Sequence, residues 1–201
     1  DDAYTIHRDF HSDSGWKDWL ASLTPGEIKA MKDYVGRVGE GYVAKAEEMN
    51  ATLRAGSFDP SRKSGTTALV NNLDKATAKG RLHKDTILYR SIDYSKMYYG
   101  ASDGTYRVGG VFDDKGFAST SPKIGTSTGG RFLRGSTPVD MRIKAPKGSK
   151  GAYLSWNELD NPYMHESEFL LPRNSKYKID KMGYETIRGK RVAVYDLTLM
   201  E

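Results

Sequence analysis

The sequence contains no cysteine among its 201 residues. Without a thiol the chain can form no disulfide, use no cysteine nucleophile and bind no zinc through sulfur. This absence excludes three kinds of site but leaves the redox environment of the protein open.

Long apolar runs are also missing. No stretch approaches the roughly 20 apolar residues that a membrane-spanning helix needs, so we predict that the chain does not insert into a membrane. It begins with DDAYTIHRDF, which has no methionine, basic region or apolar region. We expect that a secretory signal was removed or was never present, or that the chain is a fragment of a longer protein.

Several catalytic signatures are absent as well. Of the four histidines, His7 and His11 are four residues apart, but they lie near a terminus that we expect to fray, so we predict no metal site. No serine has the G-x-S-x-G surroundings of a hydrolase nucleophile, and no glycine-rich stretch continues into the G-K-[ST] of a phosphate-binding loop.

The charge of the chain is moderately positive. It has 31 basic and 26 acidic residues, a formal net charge of +5. The basic residues are spread along the sequence, and their densest cluster, RIKAPKGSK, contains Pro146 and Gly148 and is typical of a solvated turn. We therefore predict no nucleic-acid partner.

Up to about Gly80 the apolar residues recur at helical spacing. Thr24-Pro25-Gly26-Glu27 has the form of a capping box with proline at the first helical position, which predicts a helix beginning at Thr24. Further helices are expected over about 41–54 and after Ser64-Gly65, where Leu69 and Leu73 share a face.

Beyond Asp85 the pattern changes to short β-branched or aromatic runs separated by turn residues. These runs are TILYRSI, GFASTS, PVDMRIK, EFLLP, YKID and RVAVYDLTL. Helices followed by strands favour an α+β fold with a helical layer on an antiparallel sheet or sandwich.

Two glutamates, Glu166 and Glu168, stand one residue apart in HESEFLLPRN. In an extended strand residues i and i+2 project from the same face, about 7 Å apart along the chain. Both carboxylates would then reach one site, although a charged edge strand is an alternative interpretation. The pair follows an aromatic-bearing loop and precedes an apolar strand, an arrangement typical of functional side chains.

Two other patterns precede this pair in the chain. LYR ends an apolar strand on Arg90, and FASTS ends another on three hydroxyl residues, Ser119 to Ser121. The ordered set resembles the R-S-E class of mono-ADP-ribosyltransferases, the toxin-like enzymes that include actin-modifying binary toxins and insecticidal toxins. The matching stretches are MNATLRAG, LYRSI, DDKGFASTS, IKAPKGSKGAYLS and YMHESEFLLPRNSKYKI. They cover most of the chain from about Tyr34 onward, so the resemblance implies a helical N-terminal segment over residues 1–33 and a catalytic domain over residues 34–201.

The resemblance implies the ADP-ribosyltransferase fold, with helices on a two-sheet, mainly antiparallel β core, and NAD as substrate without a metal. Arg90 would contact the phosphates or the adjoining ribose, where a guanidinium fork suits oxyanions. Ser119 would orient Glu168. The remaining cofactor-binding residues that the matching stretches imply are Thr120 and Ser121, which would line the nicotinamide pocket, with Tyr89 and Asn50.

The two glutamates would have different roles. Glu168 corresponds to the catalytic glutamate that stabilises the oxocarbenium-like cation formed as nicotinamide leaves. Glu166 would hold or deprotonate the incoming nucleophile. Related enzymes that modify asparagine carry glutamine at this position, so a glutamate points to arginine as the acceptor.

The chain also departs from the family pattern. Ser91 stands where several relatives have a second basic residue, and Gly116 stands where close relatives often have asparagine. In GRFLR, Phe132 and Arg134 are candidates for the stacking aromatic and the second arginine of the cofactor site. Tyr163 is a candidate acceptor-contacting residue, with a surface loop tyrosine as the alternative.

These observations predict an NAD-dependent mono-ADP-ribosyltransferase that modifies arginine on a target protein. The nearest resemblance suggests actin as the target and a toxin or effector as the protein class, either secreted or delivered into a host cell, with a phage association as a further option. Two alternatives stay open: an NAD glycohydrolase on the same fold, and a non-catalytic phage or virion structural domain.

Overall fold

The computed structural model describes residues 10, 12, 14–36, 43–93, 106–124, 138–156, 159 and 167–201. The helices described are α1 (Ser14–Ala21), α2 (Pro25–Val35), α3 (Val43–Arg54) and α4 (Gly65–Lys79). The strands are β1 (Thr86–Asp93), β2 (Val111–Asp114), β3 (Ala118–Thr120), β4 (Pro138–Ala145), β5 (Ala152–Tyr153), β6 (Phe169–Leu171), β7 (Ser175–Ile187) and β8 (Lys190–Met200). None of the described helices is long and apolar enough to cross a membrane.

Local capping determines where two of the helices begin. The Thr24 hydroxyl accepts a hydrogen bond from Glu27 N at 3.2 Å, and Thr24 N donates to the Glu27 carboxylate at 2.9 Å. This reciprocal capping box confirms the predicted start of α2. In α4 the Ser64 hydroxyl accepts from Thr67 N in the same way.

The helices pack on the sheets through large aromatic side chains. Trp16 of α1 is almost fully buried, with its ring centroid 5.5 Å from that of Tyr153 and 5.7 Å from that of Phe169. Trp19 donates its indole N–H to the carbonyl of Ala76 in α4 at 3.1 Å. The N-terminal helices and the smaller sheet therefore share one core.

The strands form two sheets. The larger has the order β1-β4-β8-β7-β2, in which only β4 and β8 are parallel, and the smaller has the antiparallel order β3-β6-β5. The predicted α+β class with a mainly antiparallel two-sheet core is thus confirmed. The short strands β2 and β5 lack a long alternating pattern and were not predicted. The boundary proposed at residues 33 and 34 stays a prediction, and α2 runs across it.

The larger sheet has one face buried under the rest of the molecule, here called the inner face. Leu88, Ile143, Leu197 and Ile179 are consecutive Cα partners across four strands, and all are fully buried. Because alternate residues of a strand share a face, Arg90 also projects from the inner face. The sheet register therefore fixes the direction of the arginine that the sequence singled out.

An ion pair between a buried carboxylate and a lysine at the surface stabilises the helical layer. Glu27 is 1% exposed and its carboxylate oxygens lie 2.8 and 2.9 Å from Lys79 Nζ. Burial acts to raise the pKa of Glu27, but the hydrogen bonds from Lys79 and Thr24 N, with the Lys79 charge, outweigh it and hold this pKa below its usual value.

We expect Glu27→Gln to lower the free energy of unfolding by about 1–3 kcal/mol at pH 7, because a charged hydrogen-bonded pair is lost. A depressed folded-state pKa stabilises the fold above the unfolded-state pKa of about 4.3 and ceases to do so as the pH falls through the folded-state value. Urea denaturation should therefore show the difference between wild type and variant shrinking towards pH 3. Asp18→Asn, at an exposed position, is the control and should change stability by less than about 0.5 kcal/mol. A difference independent of pH would contradict the assignment.

Candidate functional site

Arg90 presents a partly buried guanidinium at the centre of the candidate site. Its Nη1 donates to the carbonyl of Ser119 at 3.0 Å. Among the described residues no carboxylate lies within ion-pair distance of it. Burial lowers the pKa of Arg90, and the neighbouring Arg54 charge lowers it further. A desolvated cation with unused donors is a site for an anion.

Arg54, at the end of α3, fixes the chain between β2 and β3. Its guanidinium binds the Asp114 carboxylate through two hydrogen bonds of 2.9 and 3.1 Å, and it also donates to the carbonyl of Phe117 at 3.0 Å. The two charged side chains are only 18% and 19% exposed. This bidentate pair ties the entry of β3, and with it Ser119, to the helical layer.

The Arg54 side chain also explains the glycine at position 116. A Cβ on Gly116 would lie 2.8–3.0 Å from three guanidinium atoms of Arg54. The asparagine often present in close relatives would collide with Arg54 in this conformation. The departure from the family pattern at Gly116 is therefore coupled to the Arg54–Asp114 pair.

Tyr34 connects the helical layer to the hydroxyl motif. Its hydroxyl lies 3.0 Å from Ser119 Oγ and accepts from Asn50 Nδ2 at 3.3 Å, while Asn50 Oδ1 accepts from Phe117 N at 2.9 Å. Burial raises the pKa of Tyr34, and the nearby negative charge of Glu168 raises it further. Tyr34 therefore hydrogen-bonds Ser119 and lies close enough to Glu168 for the charge of that carboxylate to act on it.

The position of Glu168 is set by its backbone. Glu168 N donates to Ser155 Oγ at 2.8 Å, and the Glu168 carbonyl accepts from Leu154 N at 2.9 Å. The residue is 7% exposed and directly precedes β6. These bonds to the segment after β5 hold the carboxylate at the junction of the two sheets.

The backbone between the two glutamates is not extended. Ser167 has φ of +51°, in the left-handed region that non-glycine residues seldom adopt. The extended strand that we expected at Ser167 and Glu168 is therefore absent, because β6 begins only at Phe169; Glu166 lies outside the described residues. The Ser167 side chain is fully buried and hydrogen-bonds the Tyr153 hydroxyl, which holds this turn in place.

The other predicted cofactor residues differ in their placement. Thr120 and Ser121 are fully buried: the Thr120 hydroxyl donates to the Phe169 carbonyl at 2.6 Å, and the Ser121 hydroxyl accepts from Lys123 N at 3.0 Å. They hold the end of β3 against its neighbours. Tyr89 alternates with Arg90 along β1 and so projects from the opposite face of the sheet.

The structure thus brings together Arg90, Ser119, Asn50 and Glu168. Four predicted site residues, Glu166, Tyr163, Phe132 and Arg134, lie outside the described residues. Sequence reasoning missed Tyr34, Arg54 and Ser155. Arg54 and Ser155 stand inside the quoted stretches MNATLRAG and IKAPKGSKGAYLS, so a search of those stretches for polar side chains would have found them. In the part of the chain that the structure describes, no three side chains of His, Asp or Glu converge as a metal site would require.

We expect Asp114→Asn to lower the free energy of unfolding by about 2–4 kcal/mol, because Arg54 would keep a largely buried charge without a counterion. Urea denaturation at pH 7 measures the change. Asp33→Asn is the matched control: Asp33 pairs with Lys29, whose side chain is 74% exposed, and its loss should cost less than about 1 kcal/mol. Equal losses in the two variants would show that Arg54 does not depend on Asp114.

The chain is similar to known proteins over most of its length. The model of the ADP-ribosyltransferase exoenzyme family matches residues 11–201. The chain is 34% identical over 180 residues to the NAD(+)–arginine ADP-ribosyltransferase EFV of Enterococcus faecalis, covering 86% of this chain but 33% of that protein. It is 26% identical over 174 residues to the epidermal cell differentiation inhibitor of Staphylococcus aureus, covering 74% and 68% of the two chains. The chain therefore spans about a third of the first relative.

Solved structures show the same fold. Plx2a, an ADP-ribosyltransferase toxin from Paenibacillus larvae, aligns with a TM-score of 0.73 at 20% identity over 99% of this chain and 95% of that chain. The C3 exoenzyme of Clostridium limosum aligns with a TM-score of 0.73 at 19% identity over 97% and 95%. These comparisons confirm the predicted fold, and the family model confirms the predicted family. The chain belongs to the ADP-ribosyltransferase exoenzyme family.

Proposed function

We propose that this chain transfers ADP-ribose from NAD to an arginine side chain of a target protein. The observation that carries the proposal is a guanidinium, Arg90, with no carboxylate partner among the described residues, beside Ser119 and near the buried Glu168. The 34% identity to a relative named as an NAD–arginine ADP-ribosyltransferase supports the same acceptor.

Arg90 suits the diphosphate of NAD. Its guanidinium uses one hydrogen bond on Ser119 O and keeps further donors for phosphate oxygens. Burial and the Arg54 charge both weaken its hold on its proton, so a bound dianion would relieve the repulsion between the two cations. We therefore assign the diphosphate, rather than the nicotinamide, to Arg90.

Glu168 is assigned to the bond that breaks. The glycosidic bond between the nicotinamide nitrogen and ribose C1′ breaks, its electron pair leaves with nicotinamide, and the ribose becomes an oxocarbenium-like cation. A carboxylate held by its backbone on Ser155 and Leu154 needs little reorganisation to stabilise this charge. The Tyr34 hydroxyl supports Ser119 and Asn50 around it.

Glu166 is assigned to the acceptor. Arginine nitrogen forms the new bond to ribose C1′ and must lose a proton, which the Glu166 carboxylate takes. A second anion two residues before Glu168 suits a cationic acceptor, whereas the glutamine of asparagine-modifying relatives would not neutralise it. Tyr163, two residues before the HESE sequence, is assigned to the same acceptor.

The target and the delivery route follow from resemblance. The relatives with solved structures include proteins named as toxins and exoenzymes. We propose that this chain likewise acts after secretion or delivery into a host cell, and that actin is the first acceptor to test. BECa, a component of a binary enterotoxin of C. perfringens, aligns with a TM-score of 0.69 over 98% of this chain and 48% of that chain.

We expect Glu168→Gln to reduce both NAD hydrolysis and protein labelling at least 100-fold, because the charge that stabilises the cation is lost. Glu166→Gln should abolish labelling of protein while hydrolysis of NAD continues. Labelled NAD with purified actin and with a eukaryotic cell lysate measures transfer, and release of nicotinamide measures hydrolysis. Glu47→Gln, at an exposed position of α3, is the control and should match wild type.

The outcomes separate the alternatives. Labelled protein with Glu166→Gln would contradict the arginine assignment. Free ADP-ribose from wild type with no labelled protein would favour the NAD glycohydrolase. Neither product would favour the non-catalytic structural domain.

We expect Arg90→Lys to raise the KM for NAD about tenfold or more with a smaller effect on kcat, because an ammonium cannot bind a diphosphate through two parallel hydrogen bonds. Steady-state hydrolysis of NAD measures both constants. Arg62→Lys, at an exposed position, serves as the control. A fall in kcat with an unchanged KM would show that Arg90 acts on the reaction and not on binding.

A further inference from the structure

The hairpin of β7 and β8 extends beyond its neighbouring strands. β2 pairs with β7 only over residues 175–178, and β4 pairs with β8 only over residues 193–198. Residues 185–192 pair only within the hairpin among the described strands. The tip is the turn Arg188-Gly189, with φ of +50° and +75°, which matches the turn type that keeps a tight hairpin twisted. The hairpin is therefore a defined projection of the larger sheet.

An exposed aromatic side chain stands on this projection with a cation above it. Tyr184 is 65% exposed, the most exposed of the large hydrophobic side chains described. The Arg191 guanidinium lies 4.0 Å from the centroid of its ring. A guanidinium over the face of an aromatic ring is attracted to the ring, so this contact restrains both side chains. Tyrosine and arginine are also the residue types enriched where protein partners bind most strongly.

The Tyr184–Arg191 pair lies on the same face of the sheet as Arg90. Ile92, Val139, Ala193 and Tyr184 are Cα partners in one row across β1, β4, β8 and β7. Ile92 is two residues from Arg90 and so shares its face. Three strand spacings separate the ends of this row, which is roughly 14 Å. A protein bound at the catalytic residues would therefore reach the pair.

The charge on this end of the hairpin is positive. Arg188 at the tip and Arg191 beside it are exposed, whereas Lys190 alternates with Arg191 and so projects from the opposite face. The acidic residue of the same segment, Glu185, projects from the opposite face and binds Arg142 there at 2.6 Å. Arg188 adopts a left-handed conformation that asparagine or glycine adopts more easily. The surface of the hairpin on the same face as Arg90 is therefore positively charged, with the Tyr184 ring at its centre.

We propose that Tyr184 and Arg191 dock the target protein, by binding an acidic surface beside its acceptor arginine. The inference rests on the proposed function and extends it from the reaction to the choice of substrate. An acidic patch on the target would speed its encounter with the cationic hairpin and fix the orientation of the acceptor. The Tyr184 ring would pack against an apolar part of the same patch.

The test compares charge reversal on the two faces of one hairpin. Arg191→Glu and Tyr184→Ser remove the docking surface. Lys178→Glu is the control, because it reverses an exposed charge of β7 that projects from the face opposite Arg90. We would measure KM and kcat for the labelled target protein, for NAD, and for agmatine as a small guanidine acceptor. Thermal unfolding of each variant checks its fold.

We expect Arg191→Glu to raise the KM for the protein target about tenfold, more at low than at high salt. Tyr184→Ser should raise it by a smaller factor with little dependence on salt. Both should leave agmatine modification and the KM for NAD unchanged, and Lys178→Glu should leave all of these values unchanged. Arg191→Lys should retain most of the binding because it keeps the positive charge.

Four results would overturn the inference. Equal effects of Arg191→Glu and Lys178→Glu on the protein target would show a general charge effect and not a docking surface. A raised KM for NAD would assign the pair to NAD. A wild-type chain that modifies neither agmatine nor any protein would remove the proposed function, and the docking surface with it, whereas modified agmatine with unchanged protein kinetics in Arg191→Glu would remove the docking surface alone.

Discussion

The partly buried guanidinium of Arg90 is the constraint on which the rest of the site depends. Its charge is not balanced by a carboxylate among the described residues, and a second guanidinium, Arg54, raises the cost of keeping it. Asp114 offsets part of this cost, because its carboxylate accepts two hydrogen bonds from Arg54. Within the described part of the chain the Arg90 guanidinium keeps an unpaired positive charge, which an anionic ligand would neutralise. Folding alone therefore leaves Arg90 without a carboxylate at ion-pair distance among the described residues.

The position of Glu168 depends on hydrogen bonds of its backbone. Its backbone N–H and carbonyl are both bonded to the segment that follows β5. The preceding residue, Ser167, adopts a left-handed conformation that costs about 1 kcal/mol or more. The buried contact of its side chain with Tyr153 offsets that cost. The strained residue Ser167 directly precedes Glu168, so its backbone conformation helps to orient the Glu168 side chain.

Much of the fold could be predicted because local signals determine it. The capping box at Thr24 predicts the start of a helix from four neighbouring residues, and the β-branched runs of β1, β4 and β8 predict strands in the same local way. The strands β2 and β5 could not be predicted, since short pairings form only when distant segments meet. The left-handed Ser167 escaped prediction for the same reason: the contact with Tyr153 that holds it joins two separate parts of the chain. Alternation along a strand was the wrong guide for Glu168 because that strand starts after it.

The site residues found only in the structure are those that hold others. Tyr34, Arg54 and Ser155 contact Ser119, Asp114 and the backbone of Glu168 respectively. A motif records the side chains that meet the substrate, whereas supporting contacts depend on which helix lies over which strand. Gly116 illustrates the link, because the space that an asparagine would need there is filled by Arg54. A change in one supporting side chain alters which residues the motif can contain, so supporting contacts and motif have to be interpreted together.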